Sequence, residues 1–335
     1  MILQCNRVGS HHRARHAPCQ DRILVSVGEN RTVLLAADGH GDARYCRSGL
    51  GARFACRAAG KVLQDPAVHP DAEAFRSIKR EYDRLVQRHL QFRPMDAFEQ
   101  EKLGDLPAAD AYGTTLICAV LTDGGVDCLQ LGDGGVFLLD AAGRFMAPLS
   151  QDENCCGCMT SSLCYPEERA MRHVRVQHYP PAAAVFLFSD GYDLGVLEYP
   201  YGLAALLEQP EEIENTFLPA VQAADRGDDQ SVIAWTEENL VRTGAFQEGL
   251  QELRLLWTLA QHRASWSRRL ADDRYYVSWR IRKVQQLQGE ARAEMAAQSR
   301  PILQAYHALQ QKVALADALR DVLLGKEAAH VESAN

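Results

Sequence analysis

One pattern restricts this chain more than any other. Apolar runs begin or end at aspartates that stand beside glycine or in tight turns. The clearest run is Thr32-Val33-Leu34-Leu35-Ala36-Ala37, which leads straight into Asp38-Gly39-His40-Gly41. A short apolar run bounded by turn residues reads as a buried strand. The glycines allow a sharp turn and leave peptide carbonyls open to a close neighbour. Asp21, Asp133, Asp190 and Asp228 occupy places of the same kind. Carboxylates gathered at one end of a sheet repel each other unless a divalent cation lies among them. Hard cations take carboxylate and carbonyl oxygens, so the pattern points to Mg²⁺ or Mn²⁺.

In chain order, residues 1–20 read as irregular, with a basic cluster at His11, His12, Arg13, Arg15 and His16. Arg22–Val27 and the Val33 run form a hairpin that brings Asp21 and Asp38 to the same end of a sheet. Helical spacing predicts helices over 42–63 and 72–90, the second with Phe75, Ile78, Tyr82, Leu85, Val86 and Leu90 on one face. Residues 93–110 read as a loop marked by Pro94, Gly104 and Pro107. Strands follow over 113–121, 126–131 and 136–139, separated by Asp123-Gly124-Gly125 and Gly132-Asp133-Gly134-Gly135. A cysteine-bearing surface excursion covers 150–168. Further strands are expected over 172–176, 182–188 and 231–235, with helical stretches at 201–207 and 211–224. Beyond Thr236 only helical patterns remain, in two or three helices. Asp272 suits a helix N-cap, Pro301 a first helical turn and Gly325 a C-terminal stop. The boundary is placed at 240/241. The tail's aromatics, Trp257, Trp266, Tyr275 and Trp279, read as core packing.

A net charge of −8 argues against nucleic acid as a partner. The acid is concentrated in the first part. Residues 237–335 carry 14 basic and 12 acidic side chains, which leaves a net of −10 upstream. No apolar run approaches the ~18 residues of a membrane span. The N-terminal residues lack an apolar leader segment, and ten cysteines without an export signal are expected to stay reduced. The expectation is a soluble, cytoplasmic protein with no membrane partner.

Asp21, Asp38-Gly39-His40-Gly41, Gly113-Thr114-Thr115, Gly132-Asp133, Ser189-Asp190-Gly191 and Asp228-Asp229-Gln230-Ser231-Val232 occur in the order found in PP2C-type (PPM) metal-dependent Ser/Thr protein phosphatases. Over about residues 5–236 the chain resembles that family, in its bacterial form. The resemblance implies an α-β-β-α sandwich of two antiparallel sheets flanked by helices, followed here by an all-α extension over 241–335. It implies hydrolysis of phosphoserine or phosphothreonine in proteins by a water bridging two ions, with a weaker third ion. Asp38 would bridge the ions, and the Gly39 carbonyl would bind one of them. Asp190 and Asp228 would hold the first ion, Asp133 the third, and Asp21 matches one of an upstream acidic pair. His40 matches the proposed general acid. The activity also implies a phosphoprotein substrate and a cognate Ser/Thr kinase.

The chain departs from the family pattern at three places. Gln20 stands where the other upstream acid belongs, and Asp229 where the family has Asn. The family's phosphate-binding Arg falls on His16, for which Arg15 or Arg13 could substitute. These losses keep open a pseudophosphatase or scaffold of the same fold. No Cys has an Arg six positions later, no Gly-Asn-His occurs, and Gly60-Lys61 lacks P-loop spacing, so other phosphatase chemistries fit less well. Cys155, Cys156, Cys158 and Cys164 read as loop thiols, with zinc as the competing reading. The helical tail must bury its apolar stripe, so partner binding or self-association is expected there.

Overall fold

The computed structural model describes residues 1–146, 149, 152, 155, 160–192, 201–223 and 227–323. Two five-stranded antiparallel sheets face each other. The first holds β1 (Ile2–Arg7), β10 (Gln230–Thr236), β9 (Ala184–Phe188), β6 (Gly135–Leu139) and β7 (Phe145–Met146), in that order. The second holds β2 (Arg22–Val27), β3 (Thr32–Ala37), β4 (Leu116–Thr122), β5 (Gly125–Leu131) and β8 (Arg175–Tyr179). Helices α1 (Ser10–Ala14), α2 (Ser48–Leu63), α3 (Ala72–Phe92), α4 (Ala97–Leu103) and α5 (Glu167–His173) lie between the strands in sequence. So do α6 (Tyr201–Ala204) and α7 (Ile213–Ala223), while α8 (Glu238–Val241) follows β10.

Strand alternation explains why the central runs are apolar throughout. On β3, Leu34 and Ala36 face the other sheet while Val33, Leu35 and Ala37 face α2 and α3. On β4, Ile117, Ala119 and Leu121 point inward between the sheets, and Leu116, Cys118 and Val120 point to the helices. A strand buried on both faces has no polar alternation to show. The face expected for α3 is the buried one, and its start is fixed by Asp71, whose carboxylate accepts from the Ala74 N–H at 2.8 Å.

Several local expectations are corrected. Residues 1–20 are not irregular: Ile2–Arg7 pairs with β10 along its whole length. The stretch 93–110 contains α4, closed by a capping box between Asp96 and Glu99. The strand expected at 172–176 starts at Arg175, because α5 occupies Glu167–His173. The DGHG turn runs on as loop to Arg47 before α2 begins.

Contacts divide the chain into two compact units, Met1–Leu250 and Gln251–Asn335. The second holds α9 (Gly244–Gln286) from Gln251 onward and α10 (Gly289–Leu323). They run antiparallel, tied by a two-pronged Arg263–Asp317 ion pair at 2.6 and 3.4 Å. Asp272 caps nothing: it lies exposed in the middle of α9. Pro301 lies inside α10 and not in its first turn. In both, helix-favouring neighbours outweigh one punctuating residue. Tyr275 is 76% exposed and Trp279 37%, so these two are not core. Cys156, Cys158, Gly325 and the side chains of Leu256, Trp257, Ala260 and Leu319 lie outside the described residues. No described helix is long and apolar enough to cross a membrane.

Candidate metal-phosphatase site

Strand register assembles the aspartates. Arg22 pairs with Ala37, so Asp21 and Asp38 are neighbours at one end of the second sheet. Gly135 and Val232 both pair with Phe188. This brings the Asp133 corner, Ser189-Asp190 and the start of β10 after Asp228 to one end of the first sheet. The Asp133 corner itself carries the chain from β5 in one sheet to β6 in the other. Asp38, Asp133, Asp190 and Asp228 then line a single cleft of about 680 Å³, together with Gly39 and His40.

The Asp38 turn is held by backbone bonds. Its N–H donates to Thr115 Oγ1 at 3.0 Å, and its carbonyl accepts from Thr115 N–H and Thr114 Oγ1, both at 2.8 Å. Gly39 forms an isolated bridge with Thr114. Thr114 and Thr115 thus fix the turn itself. Gly113, just before it, leaves room for two rings: a Cβ there would lie 2.4 Å from the Tyr45 ring and 2.7 Å from His40. His40 meets Tyr45 edge-on at 4.8 Å, and its Nε2 is enclosed without a hydrogen-bond partner.

Asp21 is buried behind the cleft wall, near Ser189, Ser231 and Asp38. Neither of its carboxylate oxygens makes a hydrogen bond of normal geometry. Burial, then the Asp229 charge, push its pKa up to about 7 against hydroxyl contacts that lower it. Asp38 is held well above the usual carboxylate range by burial and by the charges of Asp21 and Asp190. Asp133 is raised to about 6 by burial and by Asp190, and Asp228 is raised mainly by burial. Crowded, desolvated carboxylates of this kind are the donor set a hard divalent cation satisfies. As the side chains stand, no group of three described His, Cys, Asp or Glu is disposed to hold one ion. The fit therefore rests on the donor chemistry and on Asp21's unpaired oxygens.

Asp229 is a residue the sequence did not mark as an anchor. It is 2% exposed and accepts from the Gly9 N–H at 2.8 Å and the Gln20 N–H at 2.6 Å, one on each oxygen. His12 Nδ1 also lies 2.9 Å from it, off hydrogen-bond angle. The N-terminal segment is thereby fastened to the Asp228 turn. Gly9 and Gly191 press on the same backbone so closely that a Cβ would lie 2.1 and 1.9 Å from the carbonyl oxygens of Asp228 and Asp229. Asp229→Ala would strand one buried and one half-buried N–H group at about 1–3 kcal/mol each. For a domain of this size that lowers the melting temperature by roughly 5–15 °C. Asp229→Asn, which keeps one acceptor, should lose less; thermal unfolding of both variants checks the order.

His16 and Arg15 are exposed on the N-terminal segment and do not line the cleft. Arg44 and Arg169, which do, were not marked in the sequence; nothing local distinguishes them from other surface arginines. Cys155 lies 3.4 Å from Thr160 Oγ1, whose oxygen accepts from the Asp133 N–H at 3.1 Å, and Cys164 is buried. All described cysteines are free thiols.

The two facing sheets, flanking helices and acid-lined end define a phosphatase-type sandwich. The model of the protein phosphatase 2C family matches residues 8–231. The chain belongs to that family, and residues 8–231 make up its protein phosphatase domain. No curated protein matches the sequence. Among solved structures, the S. agalactiae serine/threonine phosphatase is similar at 12% identity, over 71% of this chain and 99% of that one, with a TM-score of 0.50. Stp1 from Staphylococcus aureus is similar at 12% identity, over 70% and 94%, with a TM-score of 0.49. The catalytic domain of PstP in complex with two manganese ions is similar at 15% identity, over 70% and 96%, with a TM-score of 0.47.

Proposed function

We propose that residues 1–240 hydrolyse phosphoserine and phosphothreonine in cytoplasmic proteins, with Mg²⁺ or Mn²⁺ held by the cleft aspartates. One observation carries this reading: Asp38, Asp133, Asp190, Asp228 and His40 line one cleft. Asp38 and the Gly39 carbonyl, with Asp190 and Asp228 for the first ion, would hold two ions, and Asp133 would serve a third. Asp21, behind Asp38, would bind through or orient the ligand shell, with Gln20 contributing no charge. When bound, such ions supply a water acidified toward neutrality and positive charge at the phosphoryl oxygens.

The chain's own part is to position and to move one proton. His40 is the imidazole that lines the cleft among the described residues, and it would protonate the departing Ser or Thr oxygen. Burial, and next the Arg44 charge, lower its pKa to about 4. An incoming phosphate dianion acts in the opposite direction, favouring the protonated ring. His16 and Arg15 remain proposed phosphate contacts from the N-terminal segment. The activity implies a cognate kinase, and the exposed Tyr275 of the helical pair suits docking or self-association.

The direct test is Mn²⁺-dependent hydrolysis of a phosphoserine peptide and of p-nitrophenyl phosphate by the full chain. Absence of metal-dependent turnover sinks the enzyme reading and leaves a partner-binding protein of this fold.

A second readout does not need turnover. Asp21 and Asp133 titrate near 3.8 when unfolded and near 7 and 6 when folded. The folded protein then holds these two protons more tightly, so without metal the stability contributed by these two groups is greatest at the acidic end and is lost as pH rises through about 7. Mn²⁺ at ~100-fold its dissociation constant returns about 2.7 kcal/mol, a rise of roughly 5–10 °C at pH 7.5. It should return much less at pH 5. Melting curves with and without Mn²⁺ at both pH values measure this.

A further inference from the structure

The described basic side chains lining the cleft, besides His40, are Arg44 and Arg169. They come from separate parts of the chain, one from the loop after the DGHG turn and one from α5. Each lies over a tyrosine: the Arg169 guanidinium is 3.7 Å from the Tyr165 ring centroid, and Arg44 is 4.7 Å from that of Tyr45. Both tyrosines line the same cleft. A guanidinium laid on an aromatic face keeps its N–H edge free for a carboxylate or phosphate and has already lost part of its rotamer freedom.

Neither arginine is committed to a strong internal partner. Arg169 forms no ion pair among the described residues; the nearby Glu167 turns instead toward Arg76 and Arg80 at 3.9 and 3.8 Å. Arg44 reaches Asp42 only at 3.8 Å, with both side chains well exposed, and such surface pairs contribute little. The two guanidinium groups also lie within electrostatic reach of one carboxylate, Asp110.

Their place relative to His40 decides what they meet. In the proposed reaction His40 would meet the oxygen that leaves with the substrate chain; Tyr45, under Arg44, touches the His40 ring. On that reading, groups on that side would meet the polypeptide around the phosphorylated residue, while the aspartates would meet the metal and phosphoryl end. We propose that Arg44 and Arg169 are specificity-determining residues that grip anionic side chains flanking the phosphoserine or phosphothreonine, which selects acidic substrate segments. This inference rests on the phosphatase reading for the orientation of the substrate. The anion is a carboxylate or a second phosphate; both offer the two-oxygen edge that a guanidinium fork matches.

The experiment uses the full chain with Mn²⁺ and four phosphoserine peptides: one with neutral flanks, one with Asp/Glu flanks, one with Lys/Arg flanks and one with a flanking second phosphoserine. Binding is followed by fluorescence anisotropy and turnover by phosphate release. The acidic-flanked and doubly phosphorylated peptides are expected to bind about 10-fold or more tightly than the neutral one, as for one charge-assisted hydrogen-bonded pair. Whichever of the two binds better identifies the preferred anion. The Arg44→Ala/Arg169→Ala variant should bring this ratio close to one, mainly through KM, and Arg169→Glu should favour a basic-flanked peptide. Arg88→Ala, on α3 and away from the cleft, should keep the wild-type ratio. A ratio unchanged in the double variant, or lost instead in Arg15→Ala/His16→Ala, overturns the proposal. Arginine-dependent binding without turnover supports the grip and removes the phosphatase reading. Turnover with no flank preference does the reverse.

Discussion

Asn in place of Asp38 is expected to abolish metal-dependent turnover while leaving the fold intact. The substitution keeps the shape of the side chain and one acceptor oxygen but removes the charge proposed to lie between two cations. Charge stabilisation of that kind amounts to several kcal/mol in a water-poor cleft. Each 1.36 kcal/mol is a factor of ten in rate, so the loss should reach roughly 10³-fold or more. Stability should move the other way. Asp38 is held well above its ordinary pKa by burial and by the charges of Asp21 and Asp190, so a neutral residue there relieves repulsion in the metal-free protein. The metal-free variant should melt at or above wild type at pH 7.5, and the Mn²⁺-induced rise should shrink. The Thr114 and Thr115 bonds go to the backbone of residue 38, so they survive the change. A variant that retains near-wild-type Mn²⁺-dependent kcat rules out the bridging role.

The second large effect concerns His40 and depends on the leaving group. A Ser or Thr alkoxide is a poor leaving group and needs a proton as the P–O bond breaks; p-nitrophenolate does not. His40→Asn should therefore lower kcat on a phosphoserine peptide by about 10²–10⁴-fold, the usual range for a general acid. On p-nitrophenyl phosphate the loss should stay within about tenfold. Steady-state kinetics on the two substrates measure the difference. Equal losses on both would assign His40 a positioning role through its contact with Tyr45, and the proton would have to come from elsewhere.

Much of the candidate site was legible because its signals are local. An apolar run that begins or ends near an aspartate beside glycine is complete within a few residues, and it marks Asp38, Asp133, Asp190 and Asp228 from the sequence. The β2–β3 hairpin was legible for the same reason, since adjacent strands joined by a short turn need no distant partner. Other signals were present but outweighed. Asp96 and Glu99 form a capping box readable as Asp-x-x-Glu, yet Pro94, Gly104 and Pro107 make the segment look like loop. Asp272 and Pro301 carry punctuation that the long helices override.

Sequence alone determined the strand-and-turn pattern, the acidic character of residues 1–236 and the identity of the ligand-type side chains. Each follows from neighbours in the chain. Tertiary structure decided what depends on distant partners. Ile2–Arg7 becomes a strand because β10, more than 220 residues later, supplies its hydrogen bonds. Asp229 becomes a clamp only when the Gly9 and Gln20 amides converge on it. Arg44 and Arg169 are ordinary surface charges along the sequence; only the fold sets both on tyrosine rings beside the same acidic cleft. Chain position fixes what a side chain is made of, while the pairing of remote strands fixes what it stands next to, and it is the neighbours that turn a strand-end aspartate into part of a site.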